Sequence, residues 1–161
     1  MEEKTVSQSQ VEMSHLMMPQ HANIAGTVYG GAILSIADSA AYVCAARHAG
    51  PRCVTVSVDQ VDFREPIRIG ELVTFKASIN YVGRTSMEIG IRIEAENLQT
   101  GKKRHTNSCY FTMVALDESG KPTPVPNLIC ETKDEKRRFK EGQIRREHAK
   151  ELAEKRRKAG L

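Results

Sequence analysis

The chain has 161 residues, of which 40% are hydrophobic and 27% charged, and this suits one globular domain with its own core. The net charge of +4 comes from the end of the chain. Residues 131–161 contain 12 Lys or Arg and 7 Asp or Glu, whereas residues 1–130 contain 12 and 13. A nearly neutral body argues against a nucleic-acid-binding protein, which needs a basic face on its folded domain.

The first part of the chain predicts one helix between less regular segments. Residues 1–10 are polar and predict a flexible N-terminus. Residues 7–17 predict a short edge strand, and residues 19–27 a loop. A helix is predicted from Gly31 to about His48, and its small and apolar residues cover so wide a face that it should be largely buried.

After residue 50 the hydrophobic period becomes two, which is typical of strands. Strands are predicted at residues 54–59, 72–82, 87–94 and 110–116, with turn residues between them. One buried helix followed by four strands at hairpin-like spacing predicts an α+β fold, in which an antiparallel sheet wraps around a central helix.

A capping-box pattern at Thr132-Lys133-Asp134-Glu135 predicts a C-terminal helix of about 25 residues. Phe139, Ile144 and Leu152 are among its few apolar positions, so most of this charged helix should be solvated or pack lightly. We therefore divide the chain into a flexible N-terminus (1–10), a single domain (11–125) and a C-terminal extension (126–161).

The four cysteines and five histidines show no CxxC or HExxH spacing, which favours free thiols and no bound metal. The first residues lack the apolar stretch of a signal peptide, and no apolar run is long enough to span a bilayer. We expect a cytoplasmic protein without a membrane span. GxSxG, P-loop and GxGxxG motifs are absent, so serine-hydrolase, NTPase and dinucleotide-binding functions have no local support.

Asp38 is the unusual residue of the predicted central helix, because it is charged among small and apolar neighbours. Such a carboxylate shifts its pKa, finds a partner or serves a function, although it could also sit in an exposed seam. Gly30 and Gly31, at the helix start, leave backbone N–H groups that could hold a developing oxyanion, although a tight turn alone would also explain them. Roughly 10 Å separates the helix start from Asp38, so they serve different steps or belong to a site built from two chains.

The predicted turn at Gly83-Arg84-Thr85-Ser86 offers a cation, two hydroxyls and backbone N–H groups. It could receive a phosphate or an amide, but many hairpins have a similar composition.

Taken together, the motifs resemble those of the hotdog-fold acyl-CoA thioesterases, the group that contains the cytosolic long-chain acyl-CoA hydrolases of animals and their single-domain bacterial relatives. The resemblance lies in order and spacing over about residues 10–130. The motifs are Asn23-x-x-Gly26-x-x-x-Gly30-Gly31, the apolar helix with Asp38, Val54 to Asp59 followed by Asp62-Phe63, Pro66-Ile67-x-x-Gly70, Gly83 to Ser86, and Phe111 to Ala115.

The resemblance implies that Asn23 and Asp38 are catalytic and act across a dimer interface, one from each hotdog unit. Backbone N–H near Gly30 or Gly31 would polarise the thioester carbonyl, while Asp38 acts as general base or, alternatively, as nucleophile. A homodimer would then contain two complete sites, and a trimer of dimers, a hexamer, is the usual assembly of the family.

The resemblance also implies where coenzyme A binds. Val56, Ser57, Val58 and Asp59 would flank the pantetheine, and Gly83, Arg84, Thr85 and Ser86 would contact the nucleotide. Arg137 and Arg138 could meet its phosphates.

The expected partner is the small-molecule substrate fatty acyl-CoA, in lipid metabolism, with no nucleic acid, no metal and no separate cofactor, since coenzyme A is part of substrate and product. Two alternatives stay open: a hotdog hydratase or dehydratase, which would need an acid–histidine pair, and an acyl-CoA-binding module without turnover.

Overall fold

The computed structural model describes residues 2–59 and 61–161. Its helices are α1 (Gly30–Ala49) and α2 (Lys133–Lys158), and single 3₁₀ turns lie at Val6–Gln8 and Pro19–His21. Its strands are β1 (Lys4–Thr5), β2 (Val11–Leu16), β3 (Cys53–Val58), β4 (Leu72–Val82), β5 (Ser86–Glu96), β6 (Lys103–Ala115) and β7 (Leu128–Ile129).

Five antiparallel strands form the main sheet in the order β2-β4-β5-β6-β3, and α1 packs against one face of it. The contact face of α1 consists of small residues that are completely buried, Ala37, Ala40, Ala41, Cys44 and Ala45. Larger side chains come from the sheet, such as Phe75, Ile89 and Phe111. These small residues let the helix approach the sheet closely, and α1 contacts all five strands. The predicted α+β arrangement is confirmed.

Strand β6 begins at Lys103, seven positions before the predicted start at residue 110. Its first half was missed because it is polar, yet it pairs with β5 as far as Lys103, which lies opposite Glu96. A sheet with one face in solvent needs apolar residues on its inner face only.

The N-terminal residues differ from the flexible segment that we expected. Val6 and Ser9 are buried, and Lys4–Thr5 pairs in parallel with Leu128–Ile129. The predicted edge strand is present, but it begins at Val11, since residues 6–8 form the 3₁₀ turn. The two ends of the domain are therefore joined by backbone hydrogen bonds.

Helix α2 begins with the predicted capping box. The Glu135 N–H donates to Thr132 Oγ1 at 3.1 Å, and the Thr132 N–H donates to Glu135 Oε2 at 3.0 Å. The helix has 26 residues, close to the predicted length. Of the three apolar residues named in this helix, Phe139 meets Tyr81 with ring centroids 5.0 Å apart, whereas Ile144 and Leu152 are exposed.

Polar contacts hold α2 against the outer face of the sheet. Arg145 makes a bidentate ion pair with Glu88, with distances of 2.7 and 3.0 Å, and lies 3.9 Å from the centre of the Tyr110 ring. Gly142 is buried, and a Cβ there would lie 2.8 Å from Tyr81 Cβ. The helix therefore docks more closely than its few apolar residues suggested, whereas its end, from Lys150 onward, is exposed throughout.

Among the described residues, no helix is both long enough and apolar enough to cross a membrane.

Candidate active site

Asp38 has a partner on the neighbouring sheet. The Thr55 hydroxyl, on β3, donates to Asp38 Oδ1 at 2.6 Å, a short charge-assisted hydrogen bond. Asp38 is half-buried on the third turn of α1, and no other side chain of residues 2–59 and 61–161 bonds to its carboxylate. One carboxylate oxygen is therefore fixed by Thr55, and the other remains available to a water molecule or a substrate.

Thr55 was not among the predicted site residues. It lies on the same strand face as the buried Cys53, before a bulge at Val56 where the register with β6 shifts. Bulges next to active sites commonly re-aim side chains. The period-two pattern of β3 predicts that its valines face the core and that Thr55 faces solvent, so only the tertiary structure could pair Thr55 with Asp38.

Asn23 lies in an exposed loop that its own side chain holds in shape. Its Oδ1 accepts from the Thr27 N–H at 3.1 Å, and its Nδ2 donates to Thr27 Oγ1 at 3.0 Å. Gly26, inside this loop, has a φ of 81°, a conformation that glycine adopts readily. Ile24 is fully exposed at the tip. The Asn23 amide is therefore preoriented and accessible from outside the chain.

Gly30 and Gly31 form the first turn of α1, as predicted. No hydrogen bond within the described residues uses their N–H groups, and Tyr29, before them, makes no side-chain cap. These donors point out of the helix start, where the helix dipole adds a partial positive charge. The arrangement can stabilise a developing oxyanion.

The residues predicted to flank pantetheine form one edge of the sheet. Val56 and Val58 are exposed there, and the Asp59 N–H donates to the Tyr110 carbonyl at 2.9 Å. Burial, and then the nearby Glu88 carboxylate, raise the pKa of Asp59, while Arg145 opposes them. Asp59 lines a pocket of about 240 Å³, together with Asp62, Arg64, His105 and Arg145.

Backbone hydrogen bonds occupy much of the turn at residues 83–86, so fewer of its polar groups are open to an anion than the sequence suggested. Ser86 is buried, and its carbonyl accepts from the Gly83 N–H at 2.7 Å. The carbonyls of Arg84 and Thr85 accept from the N–H groups of Val125 and Ala115. Thr85 is half-buried, so Arg84 presents the exposed side chain of the turn.

The two predicted coenzyme A-binding segments lie toward opposite ends of β3 within one chain. Ser86 and Val54 are both opposite Val114 on β6, whereas Val58 is opposite Phe111 and Asp59 follows it. Val114 and Phe111 are three positions apart on β6, a distance of about 10 Å at 3.3 Å per residue. Within one chain, Ser57, Asp59 and Ser86 nevertheless line a common small pocket of about 30 Å³, so members of both segments meet there.

The three buried thiols are poor candidates for a nucleophile. Burial raises the pKa of Cys44 and Cys109 to about 12 and that of Cys53 to about 11, so these thiols stay protonated at neutral pH. Among the described residues, no three His, Cys, Asp or Glu side chains are grouped so as to hold a metal ion.

Arg137 and Arg138 are exposed on α2 and line a groove of about 570 Å³ on the outer sheet face, away from α1.

Residues 25–102 match the family model described as the thioesterase superfamily. The protein VdlD of Helicobacter pylori is 48% identical over 142 residues, 88% of this chain and 80% of that protein. An acyl-CoA thioester hydrolase of Bacillus subtilis, YkhA, is 34% identical, with 94% and 92% covered. The rat cytosolic acyl coenzyme A thioester hydrolase is 39% identical over 89% of this chain, which spans 38% of the rat enzyme.

Two solved structures extend the likeness to the whole fold. A hexameric acyl-CoA thioesterase in its apo form superposes with a TM-score of 0.91 and 37% identity, covering 95% of this chain and 98% of the other. The Staphylococcus aureus acyl-CoA hydrolase, solved with butyryl coenzyme A, coenzyme A and coenzyme A disulfide, has a TM-score of 0.88 and 31% identity, with 99% of each chain covered. The chain belongs to the hotdog-fold acyl-CoA thioesterases of the thioesterase superfamily.

Proposed function

We propose that the protein hydrolyses fatty acyl-CoA to a free fatty acid and coenzyme A at a site shared by two copies of the chain. The observation that carries this proposal is the Asp38 carboxylate on the central helix, which is fixed by Thr55 and has one oxygen free. Acyl-CoA thioester hydrolysis itself follows from family membership, and the residue roles are our proposal.

A comparison of spacing supports these roles. Three solved variants of the S. aureus hydrolase carry alanine in place of an asparagine, an aspartate or a threonine. In that enzyme the asparagine precedes the aspartate by 15 positions and the threonine by 32. Asn23 precedes Asp38 and Thr55 by the same intervals here. We infer that the three side chains of this chain serve one site.

In the proposed reaction, Asp38 takes a proton from a water molecule, which attacks the thioester carbonyl carbon. The carbonyl oxygen becomes an oxyanion and accepts hydrogen bonds from the N–H groups of Gly30 and Gly31. Asn23 orients the water or the carbonyl. The tetrahedral intermediate then collapses, the C–S bond breaks, and coenzyme A leaves as a thiolate. Asp38 as a nucleophile that forms an anhydride is the alternative for the first step.

The exposed edge of the sheet supports a homodimer. Strand β3 pairs with β6 on one side only, and it exposes Val54, Val56 and Val58. Ile24, next to Asn23 in the sequence, is exposed as well. An exposed apolar edge strand is a template for pairing with another chain. Pairing of two β3 strands about a two-fold axis would let Asn23 of one copy serve Asp38 of the other. A site built from two chains would not need one chain to bridge the roughly 10 Å between the start of α1 and Asp38.

The same pairing would place Arg84 of one copy beside the coenzyme A-binding segment 56–59 of the other. In an antiparallel β3 pair, the start of one strand lies beside the end of the other. Arg84, near the start of β3, would then approach Asp59 of the second copy, so that the nucleotide and the pantetheine contact different subunits. Related thioesterases are hexameric, and we propose a trimer of such dimers, located in the cytoplasm and working without a separate cofactor.

Incubation of the purified protein with palmitoyl-CoA and a thiol reagent tests the function. We expect release of free coenzyme A by the wild type and loss of most turnover in Asp38→Ala, with unchanged circular dichroism. Binding of palmitoyl-CoA without release would indicate a binding module, and hydration of an enoyl-CoA would indicate a hydratase. Near-normal hydrolysis by Asp38→Ala would overturn the assignment of the general base.

A further inference from the structure

Two aromatic rings lie against the glycines that begin α1. A Cβ added to Gly30 would lie 3.0 Å from Phe63 Cζ and within 3.6 Å of two more atoms of that ring. A Cβ added to Gly31 would lie 3.1 Å from the Cε2 atom of Tyr29. Neither glycine has a positive φ, so backbone conformation does not require glycine at these positions. A side chain at either position would instead press against a ring, which would have to shift by a few tenths of an ångström.

Both rings remain partly open to solvent. Phe63 is 49% and Tyr29 43% exposed, which is unusual for aromatic residues that also pack tightly against a helix. Each ring therefore has one part against the first turn of α1 and another part free to contact a second molecule. Tyr29 precedes the helix directly, whereas Phe63 comes from the segment after β3, so the two rings reach the helix start from different parts of the chain.

We propose that Phe63, together with Tyr29, selects straight acyl chains over chains that branch next to the thioester carbonyl. The inference rests on the proposed function, which places the carbonyl oxygen on the N–H groups of Gly30 and Gly31. Carbon 2 of the acyl group is bonded directly to the carbonyl carbon, so it must lie within a few ångströms of these glycines and of the rings that cover them. The space beside the two rings admits a methylene at carbon 2, whereas an added methyl group on that carbon would collide with a ring.

The specificity follows from the difference in shape between substrates of equal composition. Butyryl-CoA and isobutyryl-CoA contain the same atoms, and only the second is branched at carbon 2. A methyl group misplaced in a tight pocket commonly changes relative rates by about tenfold or more. The ratio of kcat/KM for these two substrates therefore reports the space beside carbon 2 and is insensitive to differences in coenzyme A binding.

The central experiment measures kcat/KM for both substrates with the wild type, Phe63→Ala and Phe63→Leu. We expect the wild type to favour butyryl-CoA and Phe63→Ala to lower this preference by about tenfold. Phe63→Leu should lie between them, since leucine fills part of the space. Leu152→Ala, which removes a similarly exposed apolar side chain from the end of α2, is the matched control and should keep the wild-type ratio.

A second variant tests the contact itself. Gly30→Ala keeps the backbone N–H but adds a Cβ that must displace the Phe63 ring. We expect Gly30→Ala to slow butyryl-CoA hydrolysis and the double variant Gly30→Ala/Phe63→Ala to recover part of it, so that the two effects are not additive.

The outcomes separate this inference from the proposed function. If the wild type releases no coenzyme A from palmitoyl-CoA or butyryl-CoA, the proposed function fails. If the wild type is active and Phe63→Ala lowers both substrates by the same factor, Phe63 only stabilises the fold and the inference is overturned. An additive effect of Gly30→Ala and Phe63→Ala would likewise contradict it.

Discussion

Thr55 and Asp38 are joined by a 2.6 Å hydrogen bond that crosses from the edge strand β3 to the central helix α1. The same strand exposes Val54, Val56 and Val58 at the free edge of the sheet. The side chain that fixes the proposed general base thus belongs to the element that we propose as the dimer contact. Dimer formation and catalysis would then depend on the position of one strand.

Removal of the Thr55 hydroxyl tests the first part of this relationship. A hydrogen bond to a charged group contributes about 1.5–3 kcal/mol, so we expect Thr55→Val to lower kcat by roughly tenfold to a hundredfold. Thr55→Ser keeps the hydroxyl and should retain most of the activity. Steady-state kinetics with palmitoyl-CoA measure both, and equal activity of the Val and Ser variants would show that the hydroxyl has no part in turnover.

A mixture of two inactive variants tests whether the site is shared. We expect Asn23→Ala and Asp38→Ala each to be inactive, because each removes a group from both sites of a homodimer. In coexpressed, separately tagged chains, half of the dimers should be mixed, and each should contain one intact site. Turnover should therefore return to about a quarter of the wild-type value. If purified mixed dimers stay inactive, both residues serve the same chain.

Breaking the ion pair between Arg145 and Glu88 should destabilise the fold strongly, because Glu88 is only 6% exposed. Arg145→Ala leaves the Glu88 carboxylate buried without its cationic partner, with only the Asn80 amide donating to it among the described residues, and we expect a loss of about 3 kcal/mol in the free energy of unfolding. The double variant Arg145→Met/Glu88→Gln removes both charges and should lose less. Urea unfolding measures the two losses, and a larger loss in the double variant would contradict the expected coupling.

His48 should make the stability depend on pH. The residue is buried, and its Nε2 lies 2.9 Å from the Pro126 carbonyl oxygen. Burial, and to a lesser extent the charge of Lys4, lower the pKa of His48 below its usual 6.5. Between pH 6.5 and the lower pKa of folded His48, the unfolded chain binds a proton at this histidine and the folded chain does not. The stability therefore falls as the pH falls through this range, and His48 does not affect it at higher pH.

We therefore expect the melting temperature of the wild type to fall more steeply than that of His48→Gln between neutral pH and the folded pKa of the histidine. Thermal unfolding followed at several pH values gives the two slopes. The comparison uses slopes, so a constant loss of stability in the variant does not affect it. Parallel curves would show that another group causes the pH dependence.

Much of the fold could be predicted because it depends on local patterns. Small and apolar residues over a wide face of residues 31–48 predict a largely buried helix, and the period of two after residue 50 predicts strands. The capping box at Thr132 fixed the start of α2 to within one residue. These signals succeed because hydrogen bonding and side-chain direction repeat over a few residues.

The errors came from residues whose environment is set elsewhere in the chain. The polar half of β6 is a strand because β5 supplies its hydrogen bonds, and Lys4–Thr5 is held by Leu128–Ile129. The docking of α2 depends on Gly142 and Arg145 meeting Tyr81 and Glu88, and a helical sequence carries no sign of those partners.

By itself, the sequence singled out the glycine pair and Asp38 as candidate site residues, and the family resemblance added Asn23. Only the tertiary structure decided what surrounds them: Thr55 beside Asp38, and Phe63 and Tyr29 against Gly30 and Gly31. The physical reason is range. Charge and backbone freedom belong to single residues, whereas a hydrogen bond or a steric wall needs two segments that the fold brings within about 3 Å.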